Sequence, residues 1–365
     1  MGDTKIEWAD AVWNPIRGCT KVSDGCRHCY AMRLAARFSG PGQPYEGLAV
    51  MKPDGPQWTN QVRLVPERLA DPLRWKKPRR IFVNSMGDLF HEKLIDDVID
   101  QVFAVMASAS QHQFLILTKR PKRMRHYFND LRARGLQALA DYEARKREYF
   151  ETHKREFRVG YTIPDPPTPE LRALYDTAAA AEHQPLSGTN SPAFCGFSGG
   201  EYHWRSWPLP NVWLGVSVED QETAIARIPA LLETPAAVRF VSAEPLLGPI
   251  DLQKAAYAAC RDSRGNWDLK AYLHWVIVGG ESGPGARPMH PDWTRSLRDQ
   301  CQTAGIPFFF KQWGEWLPQD HFHCSLAYGA AVTFLSKMRF VRLGKQGAGR
   351  SLDGLEWDAY PEVTS

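Results

Sequence analysis

Six short runs dominate the hydrophobic pattern: IFVNSMGD at 81–88, FLILTKR at 114–120, VWLGVSVED at 212–220, VRFVSAEP at 238–245, WVIVGGES at 275–282 and IPFFFKQWG at 306–314. Each starts with consecutive Val, Ile, Leu, Phe or Trp, as a strand buried on both faces requires, and ends in small, polar or charged residues. Stretches of helical character separate them at 95–110, 223–234 and 291–305, the last closing on Gly305. This alternation predicts right-handed βα units on a parallel sheet, an α/β fold either open or curled into a full or partial TIM-like (βα) barrel. In a barrel, the polar tails of the strands meet at its C-terminal mouth, which makes them the candidate site.

The rhythm breaks twice. Residues 128–210 carry a long charged stretch of helical character and then a segment rich in Gly, Ser and Pro, read as an insertion. The barrel is thereby divided into an N-terminal part, 1–127, and a C-terminal part, 211–314. Residues 253–272 form a smaller insertion, and 315–365 a C-terminal extension.

A hydrophobic fraction of 43% and a charged fraction of 24% over 365 residues exclude a disordered or fibrous chain. Nothing approaches the ~20 apolar residues of a membrane span, and the first residues, MGDTKIEWAD, are neither basic nor followed by an apolar core. A cytoplasmic protein with no membrane partner is expected. The net charge of +4 gives no global case for nucleic-acid binding, but KRPKRMR at 119–125 and ARKREYFETHKREFR at 144–158 are locally basic.

Seven cysteines is an odd number, and three of them, Cys19, Cys26 and Cys29, fall within eleven residues in GCTKVSDGCRHCYAMRLAARF. That spacing, CxxxxxxCxxC just before a helix starting near Tyr30, favours metal chemistry over a disulfide framework. Three thiolates can hold three irons of a [4Fe-4S] cluster and leave the fourth open to a ligand. A structural zinc completed by His28, His91 or another residue, or unliganded core thiols, are the alternatives. Cys195, Cys260, Cys301 and Cys324 stand singly and read as small buried hydrophobes.

At these residues the chain resembles a phage-associated family of uncharacterised proteins with a three-cysteine motif. That family is itself similar to the radical S-adenosylmethionine (SAM) superfamily and, distantly, to spore photoproduct lyase. The resemblance covers most of the chain, through WNPIRGCTKVSDGCRHCYA, FVNSMGDLFHE, LILTKRPKRM, NVWLGVSVED, RFVSAEPLLGPIDL, WVIVGGESGPGARPM and FFFKQWG. It departs from the commonest superfamily spacing, CxxxCxxC, by three additional residues between the first two cysteines. The aromatic residue usual before the third cysteine is His28 here, with Tyr30 taking part of its role.

The resemblance implies a full or partial barrel of radical SAM type whose cluster cleaves SAM to a 5′-deoxyadenosyl radical, with successive strand tails holding SAM. By position, Ser85 and Asp88 face the methionine end. Ser217 with Glu219, and Ser242 with Glu244, each two apart and so on one side of a strand, suit the ribose. Gly279 and Gly280 admit a flat ring or phosphate closely. Lys119, Glu281 and Lys311 are the candidate catalytic residues: Lys119 lies in the densest basic run, Glu281 follows the glycines, and Lys311 precedes Gln312 and Trp313, which can hydrogen-bond and stack on a base.

A nucleotide or nucleic acid substrate is expected from the basic run, the aromatic tails and the lyase likeness. The implied partners are a reductase or flavodoxin-type electron donor and a separately encoded three-Cys-motif protein. Two other classes compete. One is a non-catalytic zinc- or cluster-stabilised nucleic-acid-binding phage accessory protein. The other is a hydrolase or transferase using Asp88, Glu219, Glu244 and Glu281 for acid-base or magnesium work.

Overall fold

The computed structural model describes residues 4, 6–152, 197–198, 201–202, 208–257, 259–260, 268–321 and 331–362. Most of the expected insertion at 128–210, and parts of 253–272 and of the C-terminal extension, lie outside them.

Seven parallel strands form one sheet in the order of the chain: β1 (Ala11–Trp13), β2 (Arg80–Val83), β3 (Gln113–Thr118), β4 (Val212–Val218), β5 (Val238–Ala243), β6 (Trp275–Gly279) and β7 (Phe308–Gln312). The six apolar runs supply β2 to β7. The first strand is the three-residue β1, ahead of the cysteines. Helices α1 (Tyr30–Arg37), α2 (Asp96–Ser108), α3 (Pro121–Thr152), α4 (Gln221–Leu232) and α5 (Pro291–Ala304) fall between them. Asp220 and Thr223 cap α4 reciprocally, and Gly305 ends α5 in the left-handed conformation its sequence announces.

Alternate residues of each strand belong to two different cores. Ile81, Val83, Phe114, Ile116, Leu214, Val216, Val241, Val276, Val278, Phe308 and Phe310 join a large cluster that includes residues of α2, α3, α4 and α5. Phe82, Leu115, Trp213, Phe240, Trp275, Ile277 and Phe309 join a smaller, aromatic one with Trp8. In a flat sheet, five strand steps of about 4.8 Å would put β1 roughly 24 Å from β6. Yet the ring of Trp8, just ahead of β1, lies 6.5 Å from that of Trp275 on β6 and 4.7 Å from that of Phe82. The sheet is therefore curled into a half-barrel around an aromatic filling, a partial TIM-like fold. β1 and β7 do not pair with each other.

The C-terminal extension adds a three-stranded antiparallel sheet (Trp316–Pro318, Val332–Leu335 and Met338–Arg342) and a tail that covers the aromatic core. Tyr360 lies 5.1 Å from Trp275 and 5.4 Å from Phe309, and the Trp275 indole N–H donates to the Ala359 carbonyl at 2.8 Å. Among the described residues no helix is long and apolar enough to cross a membrane.

Strand parity carries the concave face upward into the polar tails. Phe82 leads to Asn84, Leu115 to Leu117 and Lys119, Trp213 to Ser217, Phe240 to Ser242, and Phe309 to Lys311, so aromatic filling below gives way to polar groups above.

Two stability predictions follow from this packing. A Cβ on Gly215 would collide with the ring of Phe240, its cross-strand partner, so Gly215→Ala should destabilise the fold by about 1–3 kcal/mol, read from the urea midpoint. Burial, and then the charge of Arg239, push His274 down to about 4, while its Nδ1 accepts the Arg239 backbone N–H at 2.9 Å. The unfolded chain takes up this proton below about pH 6.5 and the folded one only near pH 4. Stability should therefore fall as pH drops through that window, by about 2 kcal/mol once screening of a partly exposed ring is allowed for, and His274→Asn should flatten the loss.

Candidate functional site

The cysteine loop leaves β1 and lies across the mouth of the half-barrel. Gly18 bridges to Gly87 beyond β2, and the loop closes in a single 3-10 turn, Asp24–Cys26, before α1. Four strand tails hold it. Beyond β2, the Tyr30 hydroxyl donates to the Ser85 carbonyl at 2.7 Å. At the end of β3, Arg120 donates to the Thr20 carbonyl at 3.3 Å and approaches Cys19 Sγ at 3.7 Å. Beyond β4, Glu219 accepts from the Ser23 hydroxyl at 3.0 Å. Beyond β6, Arg287 donates to the Asp24 carbonyl at 3.1 Å and pairs with its carboxylate.

The charged anchors have their own partners in the barrel, and two of them, Arg120 and Glu219, are buried. Arg120, only 5% exposed, binds Asp88 at 3.0 Å and Glu92 at 2.8 Å, and Asp88 also accepts from the Thr118 hydroxyl at 2.7 Å and the Lys119 N–H at 3.2 Å. Glu219, 1% exposed, is shared by Lys119, Arg227 and Ser23. Glu281 forms a two-pronged pair with Arg287 at 2.7 and 2.8 Å, and Lys311 pairs with Glu244. Asp88, Glu219 and Glu281 are each met by a cation and further donors, which is how their charge survives at low exposure.

Beneath the loop is a cavity of about 230 Å³. It is lined by Cys19, Cys26, Cys29 and Tyr30 from the loop and α1, and by Ser85, Asp88, Lys119, Ser217, Ser242, Glu244, Gly280, Glu281 and Lys311 from the strand tails. Two expected residues do not line it. Glu219 sits behind the wall, its carboxylate committed to the ion pairs just described, so it is a loop anchor and not a ribose contact. Gly279 is turned toward the side chains of Glu244 and Lys311, 3.4 Å from where its Cβ would stand. Gly280 does line the cavity, but its missing side chain makes room for the Trp313 carbonyl, whose close approach is sealed by Gly280 N–H donating to Gln312 at 2.9 Å. Close backbone packing, rather than ligand clearance, requires that glycine.

The sequence reading passed over several participants. Asn14, one residue past β1, accepts from the Ser85 hydroxyl at 3.2 Å and the Met86 N–H at 3.0 Å, shaping the β2 tail. Ser23, Glu92 and Arg227 anchor the loop or its anchors. Ser23 lies within the loop, Glu92 well past β2 and Arg227 inside α4, so nothing local in the sequence identifies their partners.

The three thiols are free and half-buried. Burial, then the charge of Asp88, push Cys19 up to about 12, with Arg120 opposing, and burial raises Cys29. Among the described residues no three His, Cys, Asp or Glu side chains converge as the ligands of one ion. His91, weighed as a fourth zinc ligand, has both ring nitrogens engaged, Nε2 with the Thr20 hydroxyl at 3.2 Å and Nδ1 with the Lys93 N–H at 3.2 Å. A cubane asks something different of its thiolates, since each meets its own iron. All three thiols line the one cavity. Among the described residues, Asn84 Nδ2 and Ser242 Oγ, both on residues that line the cavity, are buried polar atoms without a hydrogen-bond partner.

Arg120→Met should cost about 3–5 kcal/mol in urea unfolding, because it strands Asp88 as an unpaired buried charge, whereas Arg125→Met, which breaks the exposed pair with Glu233, should cost under about 1 kcal/mol. Equal costs would mean that the loop clamp is not the buried network described.

Comparison with curated proteins and with solved structures found no match. A family model described as Protein of unknown function (DUF5131) matches residues 3–361. With that match running through every strand of the half-barrel and the cysteine loop above it, the chain belongs to the DUF5131 family.

Proposed function

We propose that this protein is a radical SAM enzyme that acts on a nucleotide or nucleic acid, with Cys19, Cys26 and Cys29 holding a [4Fe-4S] cluster. The observation that carries the reading is that three free thiols of one loop line the same cavity as the polar tails of the parallel strands. When bound, the cluster would supply the electron that cleaves SAM to a 5′-deoxyadenosyl radical.

The chain's own residues have defined tasks in this reading. Burial holds the Cys19 and Cys29 thiols in the protonated form, so loading displaces those protons, and the guanidinium of Arg120 beside Cys19 favours the thiolate. Asn84 and Ser242 offer hydrogen bonds that no protein group takes. Lys311 and Glu244, paired across the tails of β5 and β7, put one cation and one anion at the wall and can exchange each other for the charged ends of an amino acid. Glu281 and Lys119, placed among the catalytic candidates by sequence, act here by holding Arg287 and Glu219, and so the loop. Aromatic packing below the cavity keeps water out of the barrel. An electron donor of reductase or flavodoxin type completes the reaction. A separately encoded three-Cys-motif protein is a further proposed partner.

Purification without oxygen and reconstitution with iron and sulfide should give about four irons per chain, a reduced-state EPR signal perturbed by SAM, and release of 5′-deoxyadenosine, all lost in Cys26→Ser. Bound zinc with no iron uptake and no SAM cleavage would overturn the reading.

A further inference from the structure

The basic run at 119–125 is the sequence's strongest hint of a phosphate-bearing partner, and the structure pairs four of its five cations internally, leaving only Lys122 exposed without an ion pair among the described residues. Lys119 is held by Glu219, Arg120 by Asp88 and Glu92, Arg123 by Asp96 and Arg125 by Glu233. Arginines on the far side of the molecule are likewise matched, Arg295 with Asp353 at 2.8 Å and Arg298 with Asp353 at 2.6 Å.

Beside the cavity mouth the pattern reverses. Arg17, Arg33, Arg37 and Arg63 hold no carboxylate among the described residues. Arg17 and Arg63 both donate to one neutral group, the Pro44 carbonyl, at 3.2 and 3.0 Å, which sets two guanidinium groups side by side. Arg33 touches the His28 carbonyl at 3.5 Å and presses against Gly283, beyond β6, so it spans the mouth. The acids of the same stretch are used elsewhere: Glu46 accepts from the Gly42 N–H, Asp54 from Gln57, and Asp24 from Arg27 and Arg287.

Aromatic rings lie among these cations. Tyr30, the first residue of α1, and Phe38, which caps its C-terminal end, are 50% and 39% exposed. The Arg37 guanidinium lies 5.6 Å from the centre of the Phe38 ring. Tyr30 also lines the cavity. Unmatched guanidinium groups interleaved with exposed rings are the footprint of a single-stranded nucleic acid, whose phosphates take the charges and whose unstacked bases take the ring faces.

We propose that the face formed by α1 and the Arg17–Arg63 pair binds single-stranded nucleic acid and leads one base over Tyr30 to the cavity. This deepens the proposed function by naming its substrate class, while the binding itself needs neither iron nor SAM.

Fluorescence anisotropy of the full chain with a labelled single-stranded DNA, the matching RNA and the duplex tests it. The expected result is tighter binding of a single strand than of duplex, with the preferred sugar identifying the source. Affinity should fall steeply with salt, and the double variant Arg33→Gln/Arg37→Gln should lower the salt slope by about 2. Phe38→Ala should weaken binding about tenfold, and Arg125→Gln should leave it unchanged. These side chains are surface groups, and circular dichroism verifies folding. No binding at low salt, equal affinity for duplex, or indifference to both Arg33→Gln/Arg37→Gln and Phe38→Ala would overturn the inference. Strand binding by a protein that takes up no iron would sink the radical SAM reading and leave this one standing. A SAM-cleaving protein that ignores the strand would do the opposite.

Discussion

Everything at the mouth of the half-barrel depends on how the cysteine loop is tied down. The loop has little structure of its own, a single 3-10 turn and one bridge, and a segment like that has no reason to hold three thiols around a cavity. Order is imposed from below by buried charge. Arg120, Glu219 and Arg287 each satisfy a partner in the barrel and reach a loop residue with what remains of their hydrogen-bonding capacity. Arg120 and Glu219 are stable at their depth only because they are fully paired, and the capacity left over from that pairing fixes where the loop attaches. The same pairing that protects the barrel thereby positions Cys19, Cys26 and Cys29.

That clamp also explains how charge is distributed. A parallel barrel brings strand tails together, and tails rich in Asp, Glu, Lys and Arg neutralise one another as they meet. Outside the mouth, on α1 and the segment around it, guanidinium groups rest on carbonyls and rings instead of carboxylates. The cavity and this outer face share Tyr30, whose hydroxyl fixes it to the β2 tail while its ring remains half exposed.

Much of the frame was legible in the chain. The doubly apolar runs from 81 to 314 announced six of the seven strands, because a strand covered on both faces cannot alternate in polarity. Gly305 announced the end of α5, because few other residues tolerate its conformation. The three-residue β1 has too short a pattern to stand out, and its place in the sheet is decided by pairing with β2. Ser85, Asp88, Ser217 and Ser242 were placed at the site by the simple rule that strand tails converge.

By itself, then, the sequence determined the order of elements, the parallel sheet and the closeness of three cysteines, since these follow from local periodicity and spacing. Only the tertiary structure decided which polar groups face the cavity and which are spent in holding it. Glu219 and Glu244 look alike in VSVED and VSAEP, yet one is sealed behind the wall with Lys119, Arg227 and Ser23 while the other lines the cavity. Gly280 reads as room for a ligand and is filled by the Trp313 carbonyl. The basic run reads as a phosphate site, and all of its cations but Lys122 are neutralised by acids from as far as Glu233. Charge and space are properties of what lies opposite, and the partner opposite is set by the fold, about a hundred residues away in the chain for both Lys119 and Arg125.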